Sequence, residues 1–297
     1  MSVSLPLDQW FFKVFSDKNQ KTIESLILRL SVFGFVLHLL LIYAKRLQLF
    51  HSPFEAQLLK DPISAIYTPF SIILIYEVYL LVYYLPRSFT TSVSKQFEII
   101  SLIIIRKIFA DIPRLQFNEF DAFSAENLQL LYDLLGILLL FFLIFLFNQK
   151  RDRLPKRKLS DKLQRFVRAK KGVSLVLLPI FVVVLLYSLS QWLWFVFNDP
   201  ENLSQININY IFYTDFFTLM ILADVWILLI SFRYTERYSQ LIRNTGFIIS
   251  AILIRLSFNT TGLFNLALIV FSVIFSLLIL RIYLAIENSD DTSATAS

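Results

Sequence analysis

Two acidic residues and two arginines interrupt the apolar stretches of this chain, and they are its best candidates for chemistry. Glu77 and Arg106 fall at the same depth on neighbouring predicted helices, roughly 14–15 Å from the turn that joins them at 1.5 Å per residue. Asp224 and Arg255 repeat this arrangement in the second half. Because an isolated ion in hydrocarbon is costly, each acid is expected to pair with the arginine of the next helix.

Two uses of these pairs are open. Each pair could simply hold the two consecutive helices that carry it together. Alternatively, the four side chains could line a polar path through the membrane, with the acids as cation or proton sites and the arginines as counter-charges. His38 is a secondary candidate that could relay protons with a carboxylate, although a single buried histidine is commonly just hydrogen-bonded. Asp133, close to the outer end of its predicted span, is the other secondary candidate.

The composition indicates the class of protein and the kind of secondary structure that carry these residues. The 297 residues are 57% hydrophobic and 17% charged, with a mean hydropathy of +0.64. Soluble domains have about 45–50% apolar and about 25% charged residues. The sequence therefore predicts an all-α integral membrane protein. There is no cysteine and there are two histidines, so we expect no disulfide, metal site or cofactor.

Eight segments are apolar enough to be considered as membrane spans, which need about 20 residues each. Six have the full length, and they are Ile23–Ala44, Ile66–Leu85, Leu128–Phe147, Val173–Phe197, Tyr210–Phe232 and Leu263–Ile286. Two are short, Phe97–Ile112 and Gly246–Phe258. Basic residues concentrate on one side if all eight cross, which predicts that both termini are cytoplasmic, in a cell inner membrane.

The spans divide the chain into five predicted segments. They are a cytoplasmic amphipathic interfacial segment (1–22), a first four-helix transmembrane repeat (23–148), a basic cytoplasmic linker (149–172), a second four-helix repeat (173–286) and a disordered tail (287–297). An even number of spans per half predicts parallel repeats about an axis along the membrane normal. If the two short segments were re-entrant, the repeats would be inverted instead.

The repeat rests on aligned residues in the two halves. The segment Ile100–Phe109 aligns with Ile249–Phe258 at an offset of 149 residues, with identical Ile, Ser, Arg and Phe positions. Glu77 aligns with Asp224 at an offset of 147. Short apolar segments at matching places in two halves are a sequence indication of a transporter's binding site.

The linker is strongly basic, with eleven lysines and arginines against two aspartates between residues 150 and 171. Such clusters attract anionic lipid at the cytoplasmic face, and we expect no nucleic-acid binding. The lipid-binding candidates are Lys156, Arg157, Lys158, Arg165 and Arg168. In the N-terminal segment, apolar residues from Leu7 to Phe15 share one helical face. That helix could lie in the membrane interface or pack on the protein.

These observations favour a multi-pass channel or transporter for ions or a small charged solute. The alternative is a non-catalytic scaffold or accessory subunit that docks a partner or anionic lipid through the basic linker. An intramembrane lipid enzyme ranks last: Lys107 and Asp111 share a helix face, but no catalytic motif is present. A homo-oligomer, with the path on its symmetry axis, stays open.

Overall fold

The fold is helical throughout the part of the chain that the computed structural model describes, residues 6–48, 62–111, 125–154, 161–198, 208–235, 237–260 and 262–295. The helices are α1 (Pro6–Val14), α2 (Asp17–Arg46), α3 (Tyr67–Tyr84), α4 (Phe89–Asp111), α5 (Ala125–Arg151), α6 (Asp161–Asn198), α7 (Ile208–Tyr234), α8 (Tyr238–Leu256) and α9 (Gly262–Thr295). Short 3-10 turns precede α3 and follow α8.

Seven stretches in the described residues are long and apolar enough to cross a membrane. They correspond to helices α2, α3, α5, α6, α7, α8 and α9, with α1 joined to α2 in the first stretch. The predicted class, an all-helical protein with membrane-spanning helices, is therefore confirmed. The eighth crossing, the repeat and the cytoplasmic termini stay predictions.

Helix α4 is the one predicted span that is too polar to qualify by its own composition. It carries five charged residues in 23, and most of its side chains are buried between α3, α5 and α8. The helix begins at Phe89, earlier than the predicted span Phe97–Ile112. The prediction is too short because the first turns of α4 are polar and do not stand out as part of an apolar span. Both α4 and α8 are continuous helices, about 34 and 28 Å long at 1.5 Å per residue. These lengths match a hydrocarbon core of about 30 Å.

Consecutive helices pack on one another in both halves. In the first half α2 packs on α3, α3 on α4 and α4 on α5, and in the second half α6 packs on α7, α7 on α8 and α8 on α9. Between the halves, α5 packs along α9 and α4 contacts α8. Gly246 allows α8 to approach α9 closely, since a Cβ there would lie 2.6–2.8 Å from the Ile279 side chain.

Two helices extend beyond the predicted segment boundaries. Helix α6 begins at Asp161 and continues through the second part of the predicted linker 149–172, so its 38 residues form one helix of about 57 Å. Helix α9 continues to Thr295, into the predicted disordered tail 287–297. The start of this segment is held on α8 by Glu287, which is buried and accepts a hydrogen bond from the Ser239 hydroxyl.

Helix α1 packs against the first turns of α6. Phe11 and Phe15 are buried, and the Asp8 carboxylate accepts from Lys171 at 2.7 Å. Trp10 and Phe12, however, are each 61% exposed. The helix thus combines both alternatives for the N-terminal segment, because one face packs on the protein and another keeps large apolar side chains outside.

The side of the membrane reached by each end of α4 tests the eight-span topology. The chain has no cysteine, so a single introduced cysteine is the one thiol that a maleimide can label. We expect an impermeant maleimide to label Ser88→Cys, before α4, only from the cytoplasmic side, and Ser124→Cys, beyond α4, only from the outside. Thr235→Cys and Thr260→Cys, on either side of α8, form the matched pair. Labelling of Ser88→Cys and Ser124→Cys from the same side would contradict a crossing by α4.

Candidate functional site

The acid–arginine pair of the second half is the most deeply buried ionic contact among the described residues. Arg255 of α8 is 1% exposed and Asp224 of α7 is 4% exposed. The Nη1 atom of Arg255 donates directly to the Asp224 carboxylate. This predicted pairing is confirmed, and it joins two adjacent helices inside the apolar bundle.

Arg255 also joins the two halves of the chain. Its Nη2 atom donates to the Oε1 atom of Gln96 on α4 at 2.9 Å. The Gln96 Nε2 atom in turn donates to the Ser92 hydroxyl at 3.4 Å. Gln96 lies ten residues before Arg106 on α4, a separation of about 15 Å along the helix. Arg255 therefore contacts α4 at a level about 15 Å along the helix from Arg106.

The pair of the first half is looser. Arg106 Nη2 lies 3.7 Å from Glu77 Oε2, and Arg106 Nη1 donates to the Phe70 backbone carbonyl at 3.1 Å. The Oε2 atom of Glu77 is buried without a hydrogen-bond partner among the described residues. The predicted pairing is confirmed here too, but as a charge contact at a longer distance than in the second half.

Lys170 of α6 adds a third charge beside Asp224. The residue is 3% exposed, and its Nζ atom donates to the Arg87 backbone carbonyl at 2.6 Å. The ammonium group lies 4.6 Å from the centre of the Phe89 ring. Lys170 and Asp224 line the same small crevice.

A small crevice brings these polar groups together. It lies between the first turns of α4 and parts of α6, α7 and α8, and its polar lining consists of Ser92, Gln96, Lys170 and Asp224. The rest of its lining is apolar. The crevice is therefore a polar point at which helices of both halves meet.

Comparisons of the chain with family models, curated proteins and solved structures found no match. The function must therefore be argued from the geometry.

Lys170 and Gln96 are the members of this cluster that sequence reasoning did not select. Lys170 belongs to the basic stretch 150–171, for which the sequence predicts lipid contact. The signal was its spacing, because Lys170 lies four residues after Phe166 and four before Ser174, both buried on the same face of α6. Gln96 likewise follows Val93 at helical spacing on the buried face of α4.

The secondary candidates lie at other helix contacts. His38 of α2 is buried, and its Nδ1 atom lies 2.6 Å from the Thr68 hydroxyl of α3. Asp133 of α5 is buried and accepts from Gln129 Nε2 at 3.0 Å. Gln129 also accepts from the backbone N–H of Gly262 at the start of α9. Each of the two therefore contributes to a side-chain network between helices.

The predicted lipid-binding residues are only partly described. Lys156, Arg157 and Lys158 lie outside the described residues. Arg165 is exposed, and Arg168 lies 3.5 Å from the Asp8 carboxylate. The Lys107 and Asp111 side chains, considered for an enzyme, also lie outside the described part. Within that part, no three histidine, aspartate or glutamate side chains are placed to hold a metal ion.

The cluster can hold charge inside the membrane without a metal. Two basic side chains and one carboxylate lie near the Gln96 amide and the Ser92 hydroxyl, so donors outnumber acceptors. Such groups can bind a charged particle or pass a proton, because they replace the hydration that the apolar surroundings cannot supply.

The unequal geometry of the two pairs predicts unequal stability effects. Asp224→Asn leaves both Arg255 and Lys170 without their acid, and removing one member of a buried pair costs about 3–5 kcal/mol. Glu77→Gln removes a longer contact with an unsatisfied oxygen, so we expect a loss smaller by at least about 1 kcal/mol. The measurement is the unfolding temperature of the purified variants in detergent.

The matched control is Asp152→Asn, which alters the exposed pair of Asp152 with Arg151 and is expected to have little effect. Equal destabilisation by Asp224→Asn and Glu77→Gln would contradict the difference between the two pairs.

Proposed function

We propose that this protein is a multi-pass membrane channel or transporter for ions or a small charged solute. Its path runs between the two halves of the chain and is lined by Glu77, Arg106, Asp224 and Arg255. The proposal includes eight spans arranged as two parallel repeats with cytoplasmic termini, in a cell inner membrane. No catalytic role is assigned.

The observation that carries the proposal is the polar contact between the halves. Arg255 connects Asp224 of its own half to Gln96 of the other half, and Lys170 lines the same crevice as Asp224 and Gln96. A salt bridge that only held α7 and α8 together would need neither Gln96 of the other half nor Lys170 of α6. Transport proteins of repeated architecture hold their solute at the interface between the repeats, and charged residues within membrane spans commonly mark such a path.

The helix packing supports the same proposal. The third and fourth helices of one half contact their equivalents in the other, α4 against α8 and α5 against α9. An axis between these equivalent helices would pass beside the α4–α8 contact, where the Arg255 and Gln96 side chains meet.

Flux into liposomes containing the purified protein tests the proposal. We expect the wild type to move ions, and we expect Glu77→Gln to reduce that flux at least ten-fold while the protein stays folded. Glu77 is chosen because its substitution is expected to be the milder for stability. Folding is checked by monodispersity and by the unfolding temperature.

Asp152→Asn, an exposed charge change of the same kind, is the control and should leave the flux unchanged. Loss of flux in step with loss of folded Glu77→Gln protein would indicate a structural pair, against the proposal. Absence of flux from the folded wild type for cations, anions and protons would contradict it directly.

A second candidate function is a non-catalytic scaffold or accessory subunit that binds anionic lipid at the cytoplasmic face. The observation that favours it is the surface formed by α1 and the start of α6. The large exposed side chains Trp10 and Phe12 lie on the helix that pairs with Arg168 and Lys171. An aromatic edge beside basic residues suits a membrane surface that carries negative charge.

Stabilisation by lipid tests this second function. We expect phosphatidylglycerol to raise the unfolding temperature of the detergent-purified wild type more than phosphatidylcholine does, because basic residues attract the anionic headgroup. The double variant Arg165→Gln with Arg168→Gln should lose the difference. Arg281→Gln, an exposed arginine of α9, should keep it. An equal effect of both lipids on the wild type would count against a lipid-binding surface.

A further inference from the structure

The buried charges around the crevice do not balance. Asp224, Arg255 and Lys170 are each at most 4% exposed, and Arg255 already engages Asp224. Among the described residues that line the crevice, Asp224 is the one carboxylate. A protonated Lys170 therefore has no free carboxylate beside it in this lining. Because a buried charge without a partner is costly, protonation of Lys170 favours a counter-ion in the crevice.

The hydrogen-bonding groups show an excess of donors. Lys170 Nζ has three N–H groups, of which one is donated to the Arg87 carbonyl. Gln96 Nε2 has two, of which one is directed to Ser92 at a long 3.4 Å. The Ser92 hydroxyl can donate as well. Hydrogen-bond donors that line a small, otherwise apolar space can bind an anion.

The size of the crevice limits the ligand. It has room for about one water-sized particle, and Ile227 and Ile248 form part of its apolar wall. A carboxylate or phosphate compound would not fit there. Among anions, a monoatomic one such as chloride comes closest to this size.

We propose that the crevice between α4, α6, α7 and α8 is a binding site for a small monovalent anion, with Lys170 as its principal counter-charge and Ser92 and Gln96 as hydrogen-bond donors. This inference rests on the proposed transport function for its physiological meaning, since it names the class of solute. The binding itself can be measured without transport.

Thermal stabilisation by chloride tests the site directly. The unfolding temperature of the purified protein is measured in sodium chloride and in sodium gluconate at equal ionic strength, since gluconate is too large for the crevice. A ligand that binds only the folded state stabilises it. We expect chloride to raise the wild-type unfolding temperature by at least about 2 °C relative to gluconate. In Lys170→Gln this difference should disappear.

Two further variants keep the test decisive. Lys162→Gln makes the same charge change at an exposed position on the same helix and should retain the chloride effect. Ser92→Ala removes one donor without adding bulk, and should raise the chloride concentration for half-maximal stabilisation several-fold, even if Lys170→Gln does not fold. An equal chloride effect in the wild type and Lys170→Gln, or none in the wild type, would overturn the inference, as would an unchanged concentration dependence in Ser92→Ala.

Chloride flux into liposomes separates this inference from the proposed function. Chloride flux that falls at least ten-fold in Lys170→Gln but not in Lys162→Gln supports both. Chloride stabilisation without any ion flux would support the anion site and overturn transport. Flux of cations or protons without an effect of chloride would support transport and overturn the anion site.

Discussion

The cost of a charge in hydrocarbon is the constraint on which the rest of this structure depends. Arg255 and Asp224 can be buried because each neutralises the other and because Gln96 accepts a further hydrogen bond from the guanidinium. That last contact comes from the other half of the chain. The same physical requirement therefore holds two neighbouring helices together and connects the two halves of the bundle.

Helix α4 shows what this requirement does to the architecture. With five charged residues in 23, it would be a poor transmembrane helix if it faced lipid. It lies between α3, α5 and α8 instead, where α3 supplies both Glu77 and the Phe70 carbonyl to Arg106. The outer helices take the opposite role, and α2 exposes large apolar side chains such as Val32 and Phe33.

The two halves use similar residues in different ways. In the first half, Arg106 divides its contacts between Glu77 and a backbone carbonyl, and one carboxylate oxygen keeps no hydrogen bond among the described residues. In the second half, the pair is in direct contact and Lys170 joins it. The first pair is therefore held at a longer distance, while the second is in direct contact and has a buried basic side chain near it.

The apolar segments are enough to predict the membrane class, because a soluble fold could not bury so much apolar surface. The sequence also determined both acid–arginine pairings, since two neighbouring helices with opposite charges at one depth have few alternatives. The boundaries of α4 and α6 could not be found this way. A polar helical turn such as the one containing Gln96 resembles a loop in the sequence, because the helices that bury it are not evident from the local residues.

Only the tertiary structure decided which groups the pairs meet. Lys170 belongs by composition to a basic linker, and nothing in the local sequence except its spacing from Phe166 distinguishes it from the exposed Lys162. Its burial follows from how α6 packs on α3 and α7. That packing depends on contacts between residues far apart in the chain, and local charge and periodicity do not encode such contacts. The Gln96–Arg255 contact was hidden for the same reason, because it links residues 159 positions apart.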